Sequence, residues 1–271
     1  MSYTDYKGTP IYYEVHGQGR PLVLLNGIMM SHASWSMFVP ELSKHHQLIL
    51  LDFPDQGQSG RMADFYSQDL PVEVVKTVLD HLKIEKAHLC GISYGGEIAQ
   101  CFTLKYPQYV DKLLLFNTTS WTNPWLQEIG EGWILAAKTK SPQMFYHATI
   151  PIIYSPEFYT RNIQWMNNRK RILEPVFNEE FLTAMIRLTR SAEGFDVREQ
   201  LKDITAKTLV VGSEQDFLTP LADQELIHGQ IKNSSFFTIR DCGHASMYEK
   251  PNEFLSLIHG FLAIEKELTI V

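Results

Sequence analysis

The sequence predicts an α/β protein: a mostly parallel, twisted sheet of about eight strands, flanked by helices and interrupted by a helical insertion. Continuous apolar runs such as Leu22-Val23-Leu24-Leu25 and Leu113-Leu114-Leu115-Phe116 have the composition of strands buried on both faces, and they alternate with helical patterns. That rhythm breaks between residues 120 and 203 and then resumes. The stretch Leu89-Cys90-Gly91-Ile92-Ser93-Tyr94-Gly95-Gly96 places a serine among glycines where an apolar run gives way to a helix. A chain reversing from strand to helix within so few residues strains its turn residue, so glycine is wanted two positions to either side.

In chain order, residues 2–7 and 10–16 predict two short strands joined by Lys7-Gly8-Thr9-Pro10. Buried strands are expected over 22–25 and 47–51, with a helix from Trp35 to Leu42 between them. Val72, Val75, Val78, Leu79 and Leu82 recur at helical spacing, which predicts a helix from Pro71 to Leu82. Ala87 to Cys90 is the next strand, Glu97-Ile98-Ala99-Gln100 is helical, and Lys112 to Phe116 is a further strand. From Ser120 to Asp203 no clean buried strand appears, and Trp121, Trp125, Trp133 and Trp165 all fall there. Helices are expected over 125–138, 157–171 and 179–189, so the segment reads as a helical cap at 120–203 inserted into a core domain of 1–119 and 204–271. Thr208 to Val211, a helix after Pro220, Ser235 to Ile239 and an amphipathic helix from Asn252 to Leu262 complete the core.

At 271 residues the chain suits one large α/β domain, or one domain with an insertion. Its net charge of −7 argues against nucleic acid or an anionic membrane as partner. Cys90, Cys101 and Cys242 are odd in number and lie in hydrophobic contexts, the pattern of reduced core thiols in a cytoplasmic protein. No stretch approaches membrane-spanning length. The histidines show no metal-ligand spacing, so no metal is expected; His45-His46 reads as a solvated pair. Arg161, Arg169, Lys170 and Arg171 read as a solvated helix face.

A serine hydroxyl attacks a carbonyl only if a base takes its proton and an acid orients that base. Two late loops offer these partners. Gly212-Ser213-Glu214-Gln215-Asp216 follows an apolar strand, with Asp216 four residues before Pro220, and Asp241-Cys242-Gly243-His244 follows the last strand. Glu214 is a rival acid, and Asp216 has an alternative reading as a helix cap. Asn117-Thr118-Thr119, at the end of the preceding strand, offers no carboxylate.

Gly91-x-Ser93-x-Gly95 and these two loops, in the order Ser, Asp, His, resemble the α/β-hydrolase superfamily over nearly the whole chain outside the cap. The resemblance implies a cofactor-free serine hydrolase with Ser93 as nucleophile, His244 as base and Asp216 as its orienting acid. The amides of Ile28 and Tyr94 are the implied oxyanion donors. Asn26-Gly27 stands where the superfamily commonly has His-Gly and is similar to the variant of enol-lactonase-like members. Asp52-Phe53-Pro54-Asp55-Gln56-Gly57 also departs from the usual Gly-His-Gly turn, and no function attaches to it at this point. Asn26, Gly27, Met29, His32, Trp121 and Trp125 are candidate pocket residues, whereas Trp35 reads as helix packing. The implied substrates are small to medium carboxylic esters or lactones. Thioesters, carbon–carbon bonds and perhydrolysis use the same constellation, and a ligand sensor that retains it is the alternative from another class.

Overall fold

The computed structural model describes residues 2–264. Strands β1 (Ser2–Tyr6) and β2 (Thr9–His16) form an antiparallel hairpin, followed by β3 (Arg20–Leu25), helix α1 (Val39–Leu42) and β4 (His46–Leu51). Helix α2 (Asp69–His81), β5 (Ala87–Ile92), α3 (Tyr94–Lys105) and β6 (Val110–Phe116) continue the alternation. Five helices intervene before the sheet resumes: α4 (Pro124–Lys138), α5 (Pro142–Ile153), α6 (Pro156–Arg161), α7 (Ile163–Val176) and α8 (Glu179–Ser191). Strand β7 (Lys207–Ser213), α9 (Leu221–Gln230), β8 (Ser234–Ile239), α10 (Ser246–Glu249) and α11 (Pro251–Ala263) close the order. The eight-stranded sheet runs β1-β2-β4-β3-β5-β6-β7-β8, antiparallel through β1, β2 and β4 and parallel from there on.

Parallel strands β3 to β7 bury both faces, as their continuous apolar runs predict, whereas the edge strand β8 leaves Ser235 and Phe237 exposed. Along β3 the side chains alternate. Leu22 and Leu24 join Trp35, Phe38, Phe116 and Phe254 on one face, while Val23 and Leu25 join Val75, Leu79, Ile98 and Phe102 on the other.

Several boundaries differ from expectation for local reasons. The helix expected over 35–42 is a 3-10 turn at His32–Trp35 followed by the short α1, because Pro40 lacks the amide that would continue a helix through it. The segment expected as one helix over 157–171 is α6 and α7, parted at Asn162, whose side-chain amide donates to the Phe158 carbonyl at 2.9 Å. Helix α5 was not expected: Pro151 interrupts its pattern, yet Ser141 caps it and Pro142 opens it. His46 is no solvated residue. It opens β4 beside Arg20, is buried, and burial, aided by His259 and His45, lowers its pKa.

Buried carboxylates tie the intervening helices to the sheet loops. Arg187 of α8 forms a two-pronged ion pair with Asp55, at 2.9 and 2.6 Å, in the loop after β4. Glu249 of α10 accepts from the Ser155 amide at 2.9 Å, the Ser155 hydroxyl at 2.6 Å and the Gly243 amide at 3.1 Å, joining the α5–α6 junction to the loop after β8.

Candidate active site

Ser93 sits between β5 and α3 at φ 54°, ψ −125°, a conformation that costs about 1–3 kcal/mol for a residue with a side chain. The surroundings hold it there. Its amide donates to the Phe116 carbonyl at 2.9 Å, and its carbonyl accepts the Gly96 amide at 2.7 Å. A Cβ at Gly91 would lie 2.3 Å from the Gly95 carbonyl oxygen, and one at Gly95 would lie 2.1 Å from that of Leu25. Both contacts are far inside van der Waals range, so only glycine lets β5, α3 and β3 close around the turn.

The two late loops converge on this turn. His244 places Nε2 2.9 Å from Ser93 Oγ and Nδ1 2.8 Å from Asp216 Oδ2. A carboxylate only accepts, so Nδ1 carries the proton and Nε2 is left to accept from the serine hydroxyl. The Asp216 side chain is fully buried, with Oδ1 accepting the Leu218 and Thr219 amides at 2.9 and 3.0 Å. Its Oδ2 also accepts from Asn117 Nδ2 and Thr219 Oγ1, both at 3.0 Å. Burial works against its charge, but His244 and these donors outweigh it and hold the carboxyl below its usual value. Glu214 is exposed and accepts from the Asp241 amide, so it does not face His244. Asn117, at φ 44° on the end of β6, also accepts from Ser246 Oγ at 2.6 Å, so an amide braces Asp216 where the sequence offers no acid.

Tyr94 opens α3, where the first amides have no partner inside the helix. The Ile28 amide has no hydrogen-bond partner among the described residues. Both residues line a cavity of about 700 Å³ that reaches Ser93 and His244, a volume suited to a small organic molecule. Gly27 and Met29 line it too.

Four expected pocket residues lie elsewhere. Asn26 is buried beneath the loop, where it accepts from Trp35 Nε1 at 2.7 Å; Trp35 is fully buried core. His32 turns away to pair with Asp52 at 2.7 Å and to pack on the Tyr12 ring. Trp121 stacks against Arg198, 3.9 Å from its guanidinium carbon, and Trp125 is exposed with Nε1 donating to the Phe217 carbonyl. The next turns of α4 supply the wall instead, through Leu126, Ile129 and Trp133.

Arg169 corrects another expectation. Rather than joining a solvated face, it lines the cavity with its guanidinium carbon 4.2 Å from the Tyr248 ring centre. Its Nε is buried without a hydrogen-bond partner, and no carboxylate pairs with it among the described residues. No three His, Cys, Asp or Glu side chains among the described residues form a group able to hold a metal ion. No helix among them is long and apolar enough to cross a membrane.

Glu97 is a buried carboxyl in the cavity wall. Burial pushes its pKa up to about 8, against a hydrogen bond from Gln68 that favours the charged form. Between about pH 4.5, its ordinary value, and pH 8, the unfolded chain releases this proton while the folded chain keeps it, so stability falls as pH rises across that window. Thermal unfolding should therefore show a smaller loss of Tm over that range in Glu97→Gln than in the parent. Equal slopes would contradict a neutral Glu97.

A family model for the alpha/beta hydrolase fold matches residues 20–251. The crystal structure of MGS-M2, an alpha/beta hydrolase enzyme from a Medee basin deep-sea metagenome library, superposes with a TM-score of 0.97 and 44% identity over 100% of both chains. The 2-hydroxy-6-oxononadienedioate/2-hydroxy-6-oxononatrienedioate hydrolase of Escherichia coli is 30% identical over 93% of this chain and 91% of its own. The 3-oxoadipate enol-lactonase 1 of Acinetobacter baylyi is 26% identical over 96% of this chain and 95% of its own. With an eight-stranded, mostly parallel sheet and a match spanning β3 to the start of α11, the chain belongs to the alpha/beta hydrolase fold family and is a hydrolase.

Proposed function

We propose that the protein is a cytoplasmic, cofactor-free serine hydrolase that cleaves small to medium carboxylic esters or lactones through an acyl-enzyme. The observation that carries this reading is the unbroken chain from Ser93 Oγ through His244 to Asp216, at 2.9 and 2.8 Å, beside the unpartnered Ile28 amide. Ser93 Oγ attacks the carbonyl carbon as His244 Nε2 takes its proton. The oxyanion forms against the amides of Ile28 and Tyr94, which are in place before charge develops. Collapse expels the alkoxide, protonated by His244; water then repeats the sequence and releases the acid. Asp216 remains ionised throughout and stabilises the imidazolium. Segment 120–203 acts as a cap that closes the acyl pocket. Incubation with a serine-directed fluorophosphonate, followed by an ester and lactone panel, tests this reading.

Arg169 narrows the substrate class to molecules carrying a carboxylate away from the reacting carbonyl. An arginine in the cavity wall, stacked on Tyr248 and with no carboxylate partner among the described residues, carries a positive charge that such an anion would balance. The E. coli and A. baylyi relatives are named for acting on a dioate and on the enol-lactone of 3-oxoadipate, both acidic, which supports the same reading. Arg169→Met should lower kcat/KM about 10- to 100-fold for the aryl hemi-ester of a dicarboxylic acid, the range set by losing one hydrogen bond to a charged group. For the neutral diester it should change little. Parallel losses on both would remove the anion-binding role. A carbon–carbon bond hydrolase on the same residues is the second reading, favoured by the 30% identity to the E. coli enzyme. Turnover of a dienoic diketone with none of any ester would select it.

A further inference from the structure

The loop after β3 and the loop after β4 each depart from the superfamily's common pattern, at Asn26 and Gln56, and the two departures are in contact. Trp35 Nε1 donates to Asn26 Oδ1 at 2.7 Å; Asn26 Nδ2 donates to the Leu51 carbonyl at 2.9 Å and to Gln56 Oε1 at 3.1 Å. Gln56 Nε2 then donates to the Gly27 carbonyl at 2.9 Å and the Ile28 carbonyl at 3.2 Å. Each amide's orientation follows from its neighbours. An indole N–H can only donate and a backbone carbonyl only accept, so donation runs one way from Trp35 to residues 27 and 28. All three side chains are buried, so each bond is shielded from competing water.

We propose that Gln56 is a positioning residue for the oxyanion hole, resting on the serine-hydrolase reading above. In a planar trans peptide the carbonyl and the following N–H point in opposite directions. Gln56 ties down the Gly27 carbonyl, so the Ile28 N–H points away from Gln56, on a loop that passes close to the nucleophile: a Cβ on Gly27 would lie 3.6 Å from Ser93 Cβ. The second bond, to the Ile28 carbonyl, stops the next peptide from turning and carrying residue 28 with it. The Gly27 carbonyl also accepts the Met30 amide at 3.1 Å, so Gln56 and this turn bond together hold the peptide. The Gln56 backbone is itself fixed, its amide donating to the Phe53 carbonyl and its carbonyl accepting from Ser59 and Arg61. A neutral histidine, with one ring donor and one ring acceptor, could replace both ends of the glutamine amide.

The test uses the full chain and compares two inhibitors: a trifluoromethyl ketone, to which Ser93 adds to form an oxyanion, and the alcohol of the same carbon skeleton, which forms none. Gln56→Leu should lower kcat on an aryl ester about 100-fold, with KM nearly unchanged, since losing a direct donor costs on the order of 10²–10³. Affinity for the ketone should fall by a similar factor and affinity for the alcohol should not, a split that general loosening of the fold would not produce. Gln56→His should recover most of the loss. In the parent protein, the Gln56 side-chain amide protons should shift on binding the ketone and stay in place on binding the alcohol, a result that needs no variant to fold. A Gln56→Leu protein that separates ketone from alcohol as well as the parent overturns the proposal alone, and so do unmoved Gln56 resonances. A parent protein that binds the two compounds equally overturns the serine-hydrolase reading, and this proposal with it.

Discussion

Ser93→Ala should reduce ester turnover by roughly a million-fold, the scale at which a nucleophile and its base fail as one unit. Nothing adjacent can substitute. The hydroxyl is lifted from the sheet by a backbone conformation that alanine tolerates as well as serine does, so the fold should persist while the chemistry stops. His244 would then face a methyl group in place of its 2.9 Å partner. Burst kinetics with a chromogenic ester measure this loss, and a variant retaining activity within tenfold of the parent would remove Ser93 from the mechanism.

Asp216→Asn should keep the fold but cost on the order of ten-thousand-fold in rate, through the histidine tautomer. The carboxylate takes two backbone amides on Oδ1, and these cannot turn away. An asparagine must keep its single oxygen there, which points its NH₂ at His244 Nδ1. The imidazole then accepts at Nδ1 and carries its proton on Nε2, the nitrogen that should receive the proton of Ser93. Asn117 Nδ2 and the Thr219 hydroxyl, which now donate to Oδ2, would also lose their acceptor. Glu214→Gln, at an exposed side chain that accepts from the Asp241 amide and does not face His244, should leave the rate nearly unchanged. Kinetics of the two variants side by side decide the assignment, and the reverse ranking would show the acid to be Glu214.

Much of the fold was legible because its signals are local. Four or more apolar residues in a row leave no polar face, so β3, β4 and β6 had to be covered on both sides. The glycines around Ser93 report a close approach of backbones that no other residue permits. The cavity wall was less legible because it depends on how each helix is rotated. Trp121 and Trp125 were expected there from their nearness to the end of β6. Leu126, Ile129 and Trp133 form the helical stripe that faces the cavity, and their i, i+3, i+7 spacing was the better signal. Arg169 lies on a comparable stripe with Ile172, Leu173 and Val176, which argues against a solvated face. Asn117 carries no such mark. Its partners Asp216 and Ser246 are 99 and 129 residues away, and only the closed sheet brings them together.

The most direct measurement is peptide mapping by mass spectrometry after brief exposure to a fluorophosphonate. Formation of the adduct needs an activated serine, a base in reach and donors for the phosphoryl oxygen, which together are the content of the proposed site. The account predicts a single adduct on the peptide carrying Ser93, absent in Ser93→Ala and formed far more slowly in Asp216→Asn. A folded parent protein that takes no label at Ser93, or takes it equally fast when Asp216 is replaced, would contradict it.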